Sequence, residues 1–217
     1  MPKQTFFNLP DHKREHVTRC AVSEFARQGY KQASISRIVA ASGIAKGSFY
    51  QYFEDKDDLF IHIVLTEVGG VKQAAYEQVR SRIEQASNLS QFLRNVAKTQ
   101  LRAFREQPEL FSISLDLLRM SPAEPVYKKL MQTVESSQNT FFLPIINHEI
   151  EQGRIDAKVN PRLLNYMLMG MTQYQLSMFS SGEASDFDEQ SIDSMLDDLD
   201  FILTSGIYTG NIFEKIP

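Results

Sequence analysis

The sequence predicts an all-helical fold, with a small N-terminal helix-turn-helix unit ahead of a larger helical body. Three observations lead there. Apolar residues recur at helical spacing almost from end to end, and no stretch alternates with the period of two that a half-buried strand requires. Glycines and prolines stand where helices stop and start. Charge also divides the chain unevenly. Net charge is −4 over 217 residues, yet the part up to Phe53 holds eight Lys/Arg against three acids, a balance of +5, while the rest holds 15 against 24, a balance of −9.

The first helix is expected from about Asp11 to Gln28, burying Val17, Cys20, Ala21 and Phe25, with Gly29 as a left-handed stop. Ser34 is placed to cap a short second helix that buries Ile35, Ile38 and Val39 before Gly43 breaks it. A third short helix follows from about Lys46 to Tyr52. Asp55 reads as the cap of a long fourth helix through Leu59, Ile63 and Tyr76, with a bend at Gly69-Gly70. After Asn88 the pattern restarts at Phe92, Leu93, Val96, Leu101 and Phe104, and Pro108 opens another helix. The run Ser121-Pro122-Ala123-Glu124-Pro125 ends it. A helix from about Val126 to Gln152, kinked at Pro144 and stopped by Gly153, is expected next. Asn160-Pro161 then opens a helix carrying Leu163, Leu164, Met167, Leu168, Met171 and Phe179. An acidic loop around Glu183 to Glu189 precedes a last helix with Ile192, Met195, Leu196, Leu199, Ile202 and Leu203. Residues 1–54 and 55–217 are the two expected domains.

Composition narrows the function classes. With 42% hydrophobic and 23% charged residues, neither disorder nor a membrane class is indicated. No apolar run approaches the roughly 20 residues that span a bilayer, and no signal segment opens the chain, so a cytoplasmic location is expected. The single cysteine, Cys20, excludes an internal disulfide and a multi-thiolate metal site. His12, His16 and Cys20 fall at i, i+4 and i+8, a spacing compatible with zinc or copper, but the two histidines read as solvated. Asp197, Asp198 and Asp200 read as a solvated face. There is no glycine-rich phosphate loop and no serine elbow, so no catalytic residue, metal or cofactor is expected.

The segment Ser34 to Phe53, two short helices about a glycine turn, has helix-turn-helix geometry. Ile35, Ile38, Val39, Ile44 and Phe53 would hold it together, while Lys46, Gly47, Ser48, Tyr50, Gln51 and Tyr52 project toward a groove. Lys46, Ser48, Tyr50, Tyr52 and Lys56 can donate to phosphate oxygens, and Ser36 and Arg37 can reach a flanking strand. Gln51 is the candidate base reader, since a carboxamide pairs bidentately with adenine. Gly47 would leave room for the sugar-phosphate backbone. A basic head on an acidic body suits a molecule that offers one end to phosphates.

These residues resemble the TetR-family signature: Gly29-Tyr30, Ser34-Ile35-Ser36-Arg37-Ile38-Val39, Ser42-Gly43-Ile44-Ala45-Lys46-Gly47-Ser48-Phe49-Tyr50-Gln51-Tyr52-Phe53 and Lys56-Asp57-Asp58-Leu59. A weaker echo lies in Gly153-Arg154-Ile155 and Asn160-Pro161. Ala45 stands where the family more often has serine, which removes one hydroxyl. The resemblance implies a transcriptional regulator, usually a repressor, that binds a near-palindromic duplex operator as a homodimer through its last two helices. By the same resemblance Tyr50 and Lys56 would touch phosphate, and Ser34 would both cap its helix and touch the backbone. It also implies a small-molecule pocket in the body. Phe104, Phe111, Phe141, Tyr166 and Tyr174 are candidates to line it, with Asn147, His148 and Gln173 as polar anchors. Because no basic cluster marks the body, an apolar or weakly polar effector is expected. The rival reading is a helical module whose N-terminal hairpin binds protein; DNA binding would differ from it in weakening steeply with salt.

Overall fold

The computed structural model describes residues 1–80, 89–136, 142–178, 193–194, 196–199 and 201–202, and these form helices and connecting turns with no strand. Three helices make the head core: α2 (Asp11–Gln32), α3 (Ile35–Ser42) and α4 (Lys46–Tyr52). Ahead of them a short α1 (Gln4–Phe7), absent from the expectation, buries Phe6 completely. Four residues are too few to display a period. Val17, Ala21, Val22 and Phe25 face inward along α2, whereas Cys20 and Ile35, expected in the core, are only half-buried.

α2 breaks at Gly29 (φ 69°), as expected of a left-handed stop, but helical turns resume through Gln32. Gly43 (φ 66°) ends α3 in the same left-handed region, and no atom lies near enough to obstruct a Cβ there. Conformation, not crowding, therefore selects glycine at Gly43.

Asp55 caps α5 (Lys56–Ile63) by accepting a 2.7 Å bond from the Asp58 amide. The interruption expected at Gly69-Gly70 falls one turn earlier, as a π-helical turn at Val64–Val68 leading into α6 (Gly69–Arg80). Thr66 Oγ1 takes a 2.9 Å bond to the His62 carbonyl beside it, the kind of side-chain competition that loosens a helical ladder.

The body continues with α7 (Leu89–Glu106) and α8 (Pro108–Arg119), the latter with proline in its first turn as expected. The single kinked helix expected between residues 126 and 152 is instead two: α9 (Pro125–Ser136) and α10 (Leu143–Glu151). Pro144 sits in the first turn of α10, where its missing amide leaves no helical acceptor unmatched. Gly153 (φ 70°) ends that helix region. Asn160 then caps α11 (Pro161–Met178), its side-chain oxygen accepting from the amides of Arg162 (3.0 Å) and Leu163 (3.2 Å). Phe179, Ile192, Met195, Leu203 and the acidic loop at 183–189 lie outside the described residues.

Two buried clusters organise the packing. One joins Phe6, Phe25, Phe49, Phe53 and Phe60 to Leu110, Ile113 and Val126, so apolar contact runs without interruption from head to body. The other gathers Tyr76, Phe92, Phe142, Ile146, Leu168 and Leu199 between α7, α10 and α11. Glu149, almost wholly buried, accepts from Arg154 (2.5 and 3.0 Å) and from the Leu89 amide (3.3 Å), tying the turn before α11 to the start of α7. Arg154 holds its carboxyl below the usual range.

Candidate nucleic-acid interface

Phe49 fixes α4. It is the one fully buried residue of that helix and meets Phe53 at 5.5 Å, an anchor of roughly 1.5–3 kcal/mol in transfer free energy. With Phe49 inward, Lys46, Gly47, Tyr50 and Gln51 are exposed, and Ser48 and Tyr52 are half-buried. Tyr50 is braced edge-on against Phe49 at 5.3 Å and keeps 45% of its surface. Nothing lies within 4 Å of a Cβ added at Gly47. Its glycine therefore answers no packing need inside the chain, although it costs helix stability.

The N-terminal segment holds this helix from behind, a role that sequence reasoning missed. Lys3 Nζ donates to the Tyr50 carbonyl (2.8 Å), the Lys3 amide to the Tyr52 carbonyl (2.8 Å), and Thr5 Oγ1 to the Gln51 carbonyl. The last carbonyls of α4 are thus satisfied, with a cation at the negative end of the helix. Two aromatics, Phe6 and Phe7, just ahead of the first long helix were the available signal.

On α3, Ser36 and Arg37 are exposed. The Arg37 guanidinium is held by Glu24 (Nε, 2.7 Å) and by the Gln32 carbonyl (2.5 Å). Glu24 also accepts the Ser34 amide at 2.8 Å. Ser34 occupies the N-cap position in extended conformation, but its hydroxyl makes no cap bond, contrary to the capping expectation; the residue is tied instead through its amide to Glu24. Lys56 is half-buried, its ammonium on the carbonyls of Tyr30 (2.8 Å), Lys31 (3.3 Å) and Ala33 (3.3 Å) and 4.6 Å from the Tyr30 ring centroid. That places it at the C-terminal end of α2.

The same end of α2 is the joint with the body. Where Gly29 breaks the helix, the Tyr30 amide donates to Asp116 of α8 at 2.6 Å, and Ser112 Oγ donates to the Ala26 carbonyl at 3.0 Å. The Tyr30 phenol, bonded to Asp57, is pushed well above its ordinary range, first by burial and then by that carboxylate. Asp116→Ala leaves a half-buried amide unpaired, and a loss of about 1–3 kcal/mol in urea unfolding is expected, with Asp116→Asn, which keeps an acceptor, losing less. Equal losses in both variants would remove the amide bond from the account.

His62 of α5 is 6% exposed, with Phe6 and Phe7 edge-on at 5.4 and 6.2 Å and its Nδ1 without a hydrogen-bond partner. Burial lowers its pKa, outweighing the upward pull of Asp58, and the N-terminal ammonium adds to the lowering. The unfolded chain then binds the extra proton first, so stability is complete above the ordinary value of 6.5 and falls as pH drops through it. The melting temperature should accordingly fall between pH 7.5 and pH 5.5, and His62→Phe should flatten that part of the profile. An identical slope in the variant would assign the effect to other groups.

Among the described residues, the candidate effector side chains do not converge on one lining. Phe104 and Phe111 stack at 5.6 Å within the head-side cluster, His148 is half-buried on α10, Asn147 is exposed on α10, and Tyr166 is 67% exposed on α11. Phe141 and the side chains of Gln173 and Tyr174 lie outside the described residues. His16 Nε2 and Cys20 Sγ are 3.9 Å apart on α2, while His12 and His16 are both exposed. Asp197 and Asp198 are exposed, as expected of a solvated face, and Asp197 also pairs with Arg94 of α7.

Residues 18–63, which include α3 and α4, match the profile of the bacterial regulatory proteins of the tetR family. The helix-turn-helix unit is thus that of the tetR-family regulatory proteins. Among the chain's relatives, the fatty acid metabolism regulator protein of Bacillus subtilis is 24% identical over 158 residues, covering 73% of this chain and 78% of that one. The HTH-type transcriptional repressor AcnR of Corynebacterium glutamicum is 19% identical over 180 residues, covering 82% and 87%. The TetR-family fold is shared along most of the length with the crystal structure of the transcriptional regulator FadR from Bacillus subtilis in complex with stearoyl-CoA (TM-score 0.69, 19% identity, 89% of this chain and 99% of that one). No helix among the described residues is long and apolar enough to cross a membrane.

Proposed function

We propose that this chain is a TetR-family repressor that binds a near-palindromic operator as a homodimer and is released by a small effector. Residues 1–54 form the DNA-binding head in this reading, and residues 55–217 the effector-binding and dimerising body. The supporting observation is α4: one helix held by Phe49 from below and by Lys3 and Thr5 at its end, with Lys46, Gly47, Tyr50 and Gln51 turned outward. Phosphate donors would be Ser34, Ser36, Arg37, Lys46, Ser48, Tyr50 and Tyr52, with Gln51 reading a base edge and Lys56, its ammonium on three carbonyls, positioning the end of α2.

Dimerisation is supported by the apolar face left uncovered on one chain. Leu163 (60%), Tyr166 (67%) and Met167 (57%) of α11 and Phe201 (66%) near the end of the described chain are too exposed for an isolated helix face, and a two-fold mate would cover them. Two recognition helices would then sit roughly 34 Å apart or a multiple of that, one groove face each.

Leu93, Val96, Phe142, Leu168 and Met171 face one another between α7, α10 and α11 around a void of only about 10 Å³, so an effector with an apolar body would have to part these helices to enter. The relatives named for fatty acid metabolism and for a stearoyl-CoA complex favour an acyl chain as that body. Selecting bound sequences from a random duplex pool tests the reading. A two-fold motif whose binding weakens with salt and is relieved by acyl-CoA supports it; an asymmetric motif or no enrichment refutes it.

A further inference from the structure

A cleft of about 860 Å³ opens on the seam between head and body, away from the space assigned to the acyl chain. Its walls come from three elements: α2 between Arg14 and Val22, the α5 and π-turn stretch from His62 to Glu67, and the α7–α8 turn from Glu106 to Leu110, with Phe7 at the edge. Val22 and Leu110, both buried, make an apolar floor, with the buried His62 imidazole beside them.

The rim is acidic. Glu15, Glu67, Glu106 and Glu109 stand against two guanidiniums, and Arg14 is already taken by Asp11 (2.6 Å) and the carbonyls of Phe7 (3.3 Å) and Leu9 (3.4 Å). His62 lines the cleft as a side chain more than nine-tenths buried whose Nδ1 has no hydrogen-bond partner. An uncharged imidazole accepts a hydrogen bond and repels no cation. An apolar floor, the Phe7 ring at the mouth and excess carboxylate together select a positively charged guest with an apolar or aromatic body.

We propose that this cleft is a second effector site that takes a small organic cation and, by bridging α2 to the α7–α8 turn, fixes the angle between head and body. The binding claim stands on the cleft alone; its effect on operator spacing rests on the function proposed above.

The test pairs two probes of one shape and opposite charge, tetraphenylphosphonium and tetraphenylborate, titrated calorimetrically into the full chain at low salt. One phosphonium per chain is expected, with the borate binding about tenfold more weakly or not at all. Replacing Glu106→Gln and Glu109→Gln together should weaken the phosphonium about tenfold. Both residues are exposed, so the fold is retained, and the double variant should melt as the parent does. No binding, equal binding of both probes, or an unchanged affinity in the double variant overturns the site. Phosphonium that binds in the cleft yet leaves operator affinity unchanged overturns its regulatory role and leaves the binding claim intact. Failure of the parent chain to bind any duplex, with phosphonium still bound, would instead count against the repressor reading.

Discussion

Phe60→Ala is expected to destabilise this protein by about 3–5 kcal/mol, a large fraction of the stability of a typical domain. Phe60 is fully buried in α5 and meets Phe25 of α2 at 5.1 Å and Tyr30 at 4.8 Å. Its loss opens a void under the very turn where Tyr30 is bound to Asp57, Lys56 and Asp116. The damage should therefore reach beyond a simple cavity, because the ring also positions a hydrogen-bonded joint. Urea unfolding with a linear extrapolation measures it. Phe111→Ala supplies the comparison: Phe111 is only half-buried and should lose clearly less. Equal losses at the two positions would mean that the Phe25–Phe60–Tyr30 stack is not what holds α2 to α5.

Punctuation residues made the head legible in advance. Gly43, Asp55 and the run Lys46 to Tyr52 mark one turn, one cap and one helix, and all three lie where the local chemistry demanded. Asn160-Pro161 and Gly153 did the same for the body. Ambiguity entered where one residue has two legal uses. Pro144 inside an apolar stretch reads equally as a kink or as a first turn, and only the chain's path decides. Gly29 was a true stop in dihedral terms, yet the helix resumed because Asp116, far along the sequence, receives the next amide.

Partners of that long-range kind account for most of what stayed hidden at the site. Glu24 binds Ser34 and Arg37, Lys3 and Thr5 bind the carbonyls of α4, and Lys56 binds the end of α2. No periodicity encodes such pairs. Residue type identified Lys56 as a donor but could not identify its acceptors. The described pocket candidates lie apart for a related reason: Tyr166 and Asn147 were chosen by chemistry, while exposure is decided by which helix face meets a neighbour.

That distinction yields the other large expected effect. Lys46→Ala with Tyr50→Ala should lower affinity for every duplex by about 10–100-fold, since both groups are exposed on α4 and both would serve phosphates rather than bases. Removing the Lys46 charge should also reduce the slope of log affinity against log salt by about 0.9. Gln51→Ala should leave that slope alone and instead cost about 1–3 kcal/mol of discrimination at one base pair. Lys56→Ala separates positioning from contact. Its ammonium already serves the carbonyls of Tyr30, Lys31 and Ala33, so its loss should lower the melting temperature, which Lys46→Ala should not. Binding titrations over a salt series, with a melt for each variant, distinguish these cases. A salt slope reduced by Lys56→Ala with no change in melting would make Lys56 a plain phosphate ligand, and the end of α2 would then need another explanation for its order.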